Sequence, residues 1–122
     1  MKAEDLRIGN YIKYRENVST IIAISGFRFS FNHQDITLKI GTKTEMHDIR
    51  VIKPIILSDK IILNAGFESM FSGAAYHLNG VEIGSNHNGF YILSTGRKIE
   101  FVHEFQNLYF VLTGQELIIK NL

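Results

Sequence analysis

The chain has 122 residues, 45% hydrophobic and 20% charged, with a net charge of +1, which is the composition of one ordinary globular domain (1–122) and excludes a disordered or strongly polyionic protein. It has no cysteine, which excludes disulfides, thiolate chemistry and cysteine-based zinc sites and favours a reducing compartment, so a cytoplasmic location is expected. Residues 1–7 carry acids and lack the apolar stretch of a signal peptide, and the apolar clusters Val51-Ile52 and Pro54-Ile55-Ile56-Leu57 are broken by Lys53 and Ser58, so no membrane partner is expected.

The first half reads as short strands. Leu6-Arg7-Ile8-Gly9-Asn10-Tyr11-Ile12 leads into the first, with Gly9 suited to a tight bend. Val18, Thr20, Ile22 and Ile24 alternate with Ser19, Ile21, Ala23 and Ser25, and Ser25-Gly26 supplies a turn. Phe27, Phe29 and Phe31 alternate with Arg28, Ser30 and Asn32, and Ile36, Leu38 and Ile40 with Thr37 and Lys39. Period-two alternation predicts half-buried antiparallel strands. A fifth is expected over 48–52, ending before Pro54, which cannot donate to a ladder. Five short strands in so few residues predict a small antiparallel β-barrel over 1–57, SH3-like or OB-like.

The remainder, 58–122, mixes helix and strand. Ser58 is suited to an N-cap, Asp59 to the first helical turn and Gly66 to a left-handed C-cap, with Phe67 folding back on Ile62. Tyr76-His77-Leu78 and Val81-Glu82-Ile83 flank Asn79-Gly80, the signature of a two-residue type I′ hairpin. Asn88-Gly89 and Thr95-Gly96 mark further turns, and a three-stranded β-meander is predicted over 76–101. Phe101, Phe105, Leu108 and Leu112 fall at i, i+4, i+7 and i+11, predicting a helix over Val102–Thr113 that buries this stripe and stops at Gly114. Leu117-Ile118-Ile119 is suited to a closing strand. The fold class is α+β.

No motif carries catalytic or cofactor chemistry. His33, His47, His77, His87 and His103 lack the spacing of a metal-binding pair. His103 and Glu104 are adjacent on a helix and point about 100° apart, so they form no natural base–orienter pair; Glu104 is better read as a charge complementing the helix dipole. Asn86-His87-Asn88-Gly89 is a turn rather than a nuclease motif, and Ile40-Gly41-Thr42-Lys43-Thr44 lacks the first glycine of a P-loop and reads as a polar loop. No cofactor, metal or catalytic residue is therefore expected.

Two surfaces stand out for binding. Residues 1–60 hold ten Lys/Arg against seven Asp/Glu, and Lys13, Arg28, Lys39, Arg50 and Lys53 sit on predicted strands beside Tyr11 and Tyr14, as a nucleic-acid-binding sheet face requires. Strand alternation by itself also places polar residues outward, and Glu16, Asp35, Glu45 and Asp48 dilute the field. The second surface is the flank Tyr109-Phe110, since the last helix is apolar over more of its circumference than one buried stripe needs.

The stretch Val102-His103-Glu104-Phe105-Gln106-Asn107-Leu108-Tyr109-Phe110-Val111-Leu112-Thr113-Gly114-Gln115-Glu116-Leu117 resembles the closing motif of a family of small proteins of Bacteroides-type bacteria, often carried by prophages and other mobile elements. Leu6-Arg7-Ile8-Gly9-Asn10 and Leu63-Asn64-Ala65-Gly66-Phe67 are similar to further stretches of that family, whereas Ile61-Ile62 stands near where its members carry Glu-Trp. The resemblance implies a cytoplasmic protein of mobile-element origin and assigns no activity. A non-enzymatic module binding a protein partner is the leading expectation, a nucleic-acid-binding barrel the alternative, and an enzyme assembled from scattered His, Asp and Glu the third.

Overall fold

The computed structural model describes residues 5–25 and 35–122. The expected strand through Phe27, Phe29 and Phe31, together with Arg28 and His33, lies outside the described residues. The chain is α+β and divides into two compact units, Met1–Ile55 and Ile56–Leu122.

In the first unit, strands β1 (Tyr11–Tyr14), β2 (Asn17–Ile24), β3 (Asp35–Ile40) and β4 (Lys43–Asp48) form an antiparallel sheet in that order. The chain enters it through a turn in which the Asn10 N–H donates to the Arg7 carbonyl at 3.0 Å. Gly9 takes φ +99° at the third position, the place where such a turn needs a residue without a Cβ. Buried Asn10 closes the turn by accepting the Arg7 N–H at 2.7 Å.

Arg15 and Glu16 join β1 to β2 as a two-residue hairpin, Tyr14 pairing with Asn17, and both have positive φ, 48° and 66°. Neither residue type favours that region, which hides the hairpin in the sequence. The register of β2 shifts between Ile21 and Ala23, a bulge that leaves Ile22 exposed. Ser19 and Ile21 are therefore the buried residues ahead of the bulge, and Ile24 packs against the core beyond it. Ile12, Tyr14, Ile21, Ile36 and Leu38, joined by Leu6, Ile49 and Ile52, form that core.

The strand expected over 48–52 is not there. Asp48 accepts the Arg50 N–H at 2.8 Å and starts a 3-10 helix, Ile49–Val51, because a short carboxylate competes with the ladder for backbone donors. Only Lys53 returns to pair, exchanging two 2.9 Å backbone hydrogen bonds with Lys13 on the outer edge of β1. No closed barrel is found: among the described residues no ladder joins β4 to β1. Even so, the Tyr14 and His47 rings, from the first and last strands of the sheet, stack at 3.9 Å between centroids. The sheet is curled enough for its ends to meet through side chains.

In the second unit, helix α1 (Asp59–Asn64) is followed by β5 (Glu68–Met70), β6 (Ala75–Leu78), β7 (Val81–Asn86), β8 (Gly89–Ile92), β9 (Lys98–Ile99) and helix α2 (Val102–Thr113). The strands form one antiparallel meander in sequence order, with five members where three were expected. β5 has three residues and no alternation of its own, and is defined by its pairing with β6, Glu68 opposite His77.

Local signals in this unit hold. Ser58 Oγ accepts the Ile61 N–H at 3.3 Å. At the other end of α1 the Gly66 N–H donates to Leu63 and the Phe67 N–H to Ile62, with Gly66 at φ +94°, a Schellman ending. Asn79 and Gly80 turn with φ 50° and 83° between paired Leu78 and Val81. Asn79 Nδ2 also donates to the Tyr109 hydroxyl at 2.7 Å, tying the hairpin to α2.

Helix α2 has the expected limits, but its buried face is rotated. Val102, Phe105, Gln106 and Tyr109 are buried, at i, i+3, i+4 and i+7, whereas Leu108 is half-buried and Leu112 is 57% exposed. Phe67 packs on both Phe105 (5.1 Å) and Tyr109 (6.1 Å). Leu117 and Ile119 are buried on either side of exposed Ile118. This tail forms no strand; the Lys120 N–H anchors it on the Asn64 carbonyl at 3.2 Å.

Candidate functional site

The outer face of the first sheet collects part of the basic set. Cross-strand partners share a face, so the register places Tyr11, Thr20, Lys39 and Thr44 in one row and Lys53, Lys13 and Val18 in the next. Lys13 is half-buried, and Lys39 and Lys53 are exposed. Farther along the same face stand Asp35 and Asp48, directly opposite one another.

The other members do not join them. Arg50 lies on the 3-10 helix, not on a strand, and its guanidinium donates through two nitrogens to Asp48 at 3.0 and 3.1 Å, which holds its pKa above the ordinary arginine value. Tyr14 is buried on the opposite face against His47, with the Arg15 guanidinium 5.3 Å from its ring centre. It is no stacking platform for a base.

Helix α2 carries the second surface. Tyr109 is buried with its hydroxyl engaged by Asn79, so it belongs to the core and not to a binding flank. Phe110 is 37% exposed. The more open stripe is half-buried Leu108 with Val111 (79% exposed) and Leu112 (57% exposed), at i, i+3 and i+4, of which Leu108 and Leu112 were expected in the core. The missed signal is Gln106. This polar side chain is buried on the inner face, and Val111 and Leu112 are left in solvent.

Ionisable groups are paired locally. His47 Nε2 lies 3.0 Å from Glu45 Oε1 and His77 Nε2 lies 3.6 Å from Glu68 Oε2. Glu104 Oε1 accepts the Glu100 and Phe101 N–H groups, each at 3.0 Å, and so acts at the helix start. His103 is buried, with its ring stacked 5.8 Å from that of Phe101. Among the described residues no group of three or more His, Asp and Glu could hold a metal ion, and no helix is long and apolar enough to cross a membrane.

A cavity of about 370 Å³ opens at the β7–β8 turn, lined by Asn86, Asn88, Phe90, Tyr91 and Lys98 among others. The Tyr91 ring lies over Gly84, its cross-strand partner, where a Cβ would come within 2.2 Å of Tyr91 Cζ. Of side chains that can exchange protons the lining holds Tyr91 and Lys98, and no histidine or carboxylate. In the comparison with known proteins, no family model, curated protein or solved structure gives a significant match.

Proposed function

We propose that the chain is a non-enzymatic interaction module that binds a protein partner through the outward stripe of α2. The observation that carries this reading is the exposure of Val111 and Leu112 beside Leu108 on a helix whose other face is already fully packed. Such a helix has two apolar faces and needs only one for its own fold, and a contiguous exposed apolar stripe is the ordinary mark of a protein contact. Neither His–Glu pair is among the residues that line the cavity, which favours a binding role over catalysis. The proposed reading extends to a bacterial cytoplasmic accessory factor of phage origin, for which the resemblance to mobile-element proteins is the support.

The first unit is read as a small curled barrel of SH3-like type. The Tyr14–His47 stack, the 3-10 helix ahead of Lys53 and the return of Lys53 to β1 support this. A simple meander order favours it over the Greek-key order of an OB-fold. The second functional reading, nucleic-acid binding, rests on Lys13, Lys39, Lys53 and Tyr11 sharing the outer face.

The test compares wild type with Val111→Asp/Leu112→Asp, checked for folding by circular dichroism, in pulldowns from a Bacteroides-type lysate with and without nuclease. A nuclease-resistant protein retained by wild type and lost by the variant is expected. Oligonucleotide titration at two salt concentrations covers the second reading. Submicromolar binding at about 150 mM salt, with a log K–log salt slope that falls by one to two in Lys13→Gln/Lys39→Gln, would replace the first with the second.

A further inference from the structure

We infer that the α2 stripe takes a basic amphipathic segment of a protein, with Lys or Arg residues standing at the two ends of a short apolar face. This rests on the docking role of the stripe and adds the chemistry of what docks. Glu104, Leu108 and Val111 fall at i, i+4 and i+7, so they share one face of α2 with Leu112 beside them. The exposed apolar residues are therefore preceded on their own face by a carboxylate. Glu104 makes its hydrogen bonds through Oε1, with the Glu100 and Phe101 N–H groups, and keeps its charge while it caps the helix start.

The other end of the stripe is negative for a different reason. Val111 and Leu112 lie in the last turn of α2, which holds no basic residue. Gly114 N–H satisfies the Phe110 carbonyl, and among the described residues the carbonyls of Val111, Leu112 and Thr113 accept no backbone N–H. Such a helix end carries the equivalent of about half a negative charge. Exposed Glu116 follows two residues beyond Gly114. Residues 99–119 contain Glu100, Glu104 and Glu116 and no Lys or Arg. Lys98 lies 3.7 Å from Glu100 and answers that carboxylate, so the charge bounding the stripe is that of Glu104, the helix end and Glu116.

An apolar patch with a rim of one sign is met by a partner whose rim has the other, because like charges brought together at a rim oppose association. From Glu104 to Thr113 the helix rises about 14 Å at about 1.5 Å per residue. The partner's cations should thus stand about two and a half helical turns apart, with leucine-like side chains between them.

The test uses two synthetic peptides of about four helical turns with the same leucine stripe, one carrying Lys and the other Glu at every flanking position. In fluorescence anisotropy at low salt, wild type should bind the Leu/Lys peptide at least about tenfold more tightly than the Leu/Glu peptide. Glu104→Gln/Glu116→Gln keeps an acceptor at the helix start and should weaken the Leu/Lys complex by about three- to tenfold. Raising salt to about 0.5 M should shrink the wild-type preference in the same way. Val111→Ser/Leu112→Ser alters no charge and should abolish Leu/Lys binding while the circular dichroism spectrum is kept. Equal binding of the two peptides by wild type, lost in the serine variant, would overturn the basic partner and leave the stripe as a docking surface. Leu/Lys binding unchanged in the serine variant, or no binding of either peptide, would overturn the stripe as well.

Discussion

Truncating Phe105 separates the core face of α2 from the face that the sequence pattern had selected. Phe105 is fully buried, and Phe67 packs on its ring at 5.1 Å. Removing a buried phenylalanine side chain typically costs about 3–5 kcal/mol, from lost transfer energy plus the cavity left behind. The second unit spans residues 56–122, and at roughly 0.05–0.15 kcal/mol per residue such a unit has only about 3–10 kcal/mol of stability. Phe105→Ala should thus remove a third or more of it. At about 4–8 °C per kcal/mol for a unit of this size, the melting transition should fall by roughly 12 °C at the least. Leu112 lies seven residues along the same expected stripe but is 57% exposed, and alanine is the better helix former. Leu112→Ala should stay within about 1 kcal/mol of wild type. Urea unfolding followed by far-UV circular dichroism reads both variants. Equal losses at the two positions would refute the rotated helix face and, with it, the exposed stripe on which the binding proposal rests.

The remaining predictions use other parts of the molecule. Replacing Arg15-Glu16 by Asn-Gly should stabilise the first hairpin by about 1–2 kcal/mol, since left-handed non-glycine residues cost about 1 kcal/mol or more each; an unchanged urea midpoint would count against the positive-φ turn. The Tyr76 hydroxyl donates to Asp59, and chiefly for that reason its pKa is raised from 10.0 to about 12. Its folded form holds the proton more tightly, so this contribution is complete below about pH 10 and is lost as pH rises through about 12. Tyr76→Phe should accordingly show a smaller drop in urea midpoint between pH 9 and pH 11.5 than wild type does. Gly84→Ala should destabilise by about 1–3 kcal/mol through collision with the Tyr91 ring, and Tyr91→Ala should relieve most of that loss in the double variant; simple additivity of the two losses would show that the ring is not the obstacle.

The stretches on which the proposed mobile-element origin rests have structural tasks here. Leu6 to Asn10 forms the turn closed by Asn10. Leu63 to Phe67 is the ending of α1. In the last motif Glu104 caps the helix, Phe105, Gln106 and Tyr109 pack its inner face, and Gly114 ends it at φ +72° with its N–H on the Phe110 carbonyl. Residues of this kind specify a fold and say little about a partner. The surface proposed to meet one, exposed Val111 and Leu112, sits within the same motif.

What the sequence by itself determined is short in range. Ser58, Gly66, Asn79-Gly80, Gly9 and Gly114 act within a few residues, because a cap or a positive φ is decided by the nearest backbone groups, and each turn or helix end stands where its residues require. The limits of α2 follow for the same reason. Pairing and burial belonged to the tertiary structure. β5 exists because β6 lies beside it, Arg15-Glu16 turns because Tyr14 and Asn17 pair, and residues 49–51 leave the ladder because Asp48 captures the Arg50 N–H. The face of α2 that turns inward was decided the same way. Its apolar residues are compatible with two orientations, and the packing of Phe67 on Phe105 and Tyr109, with Asn79 reaching the Tyr109 hydroxyl, selects the one that buries Gln106 and leaves Val111 and Leu112 in water.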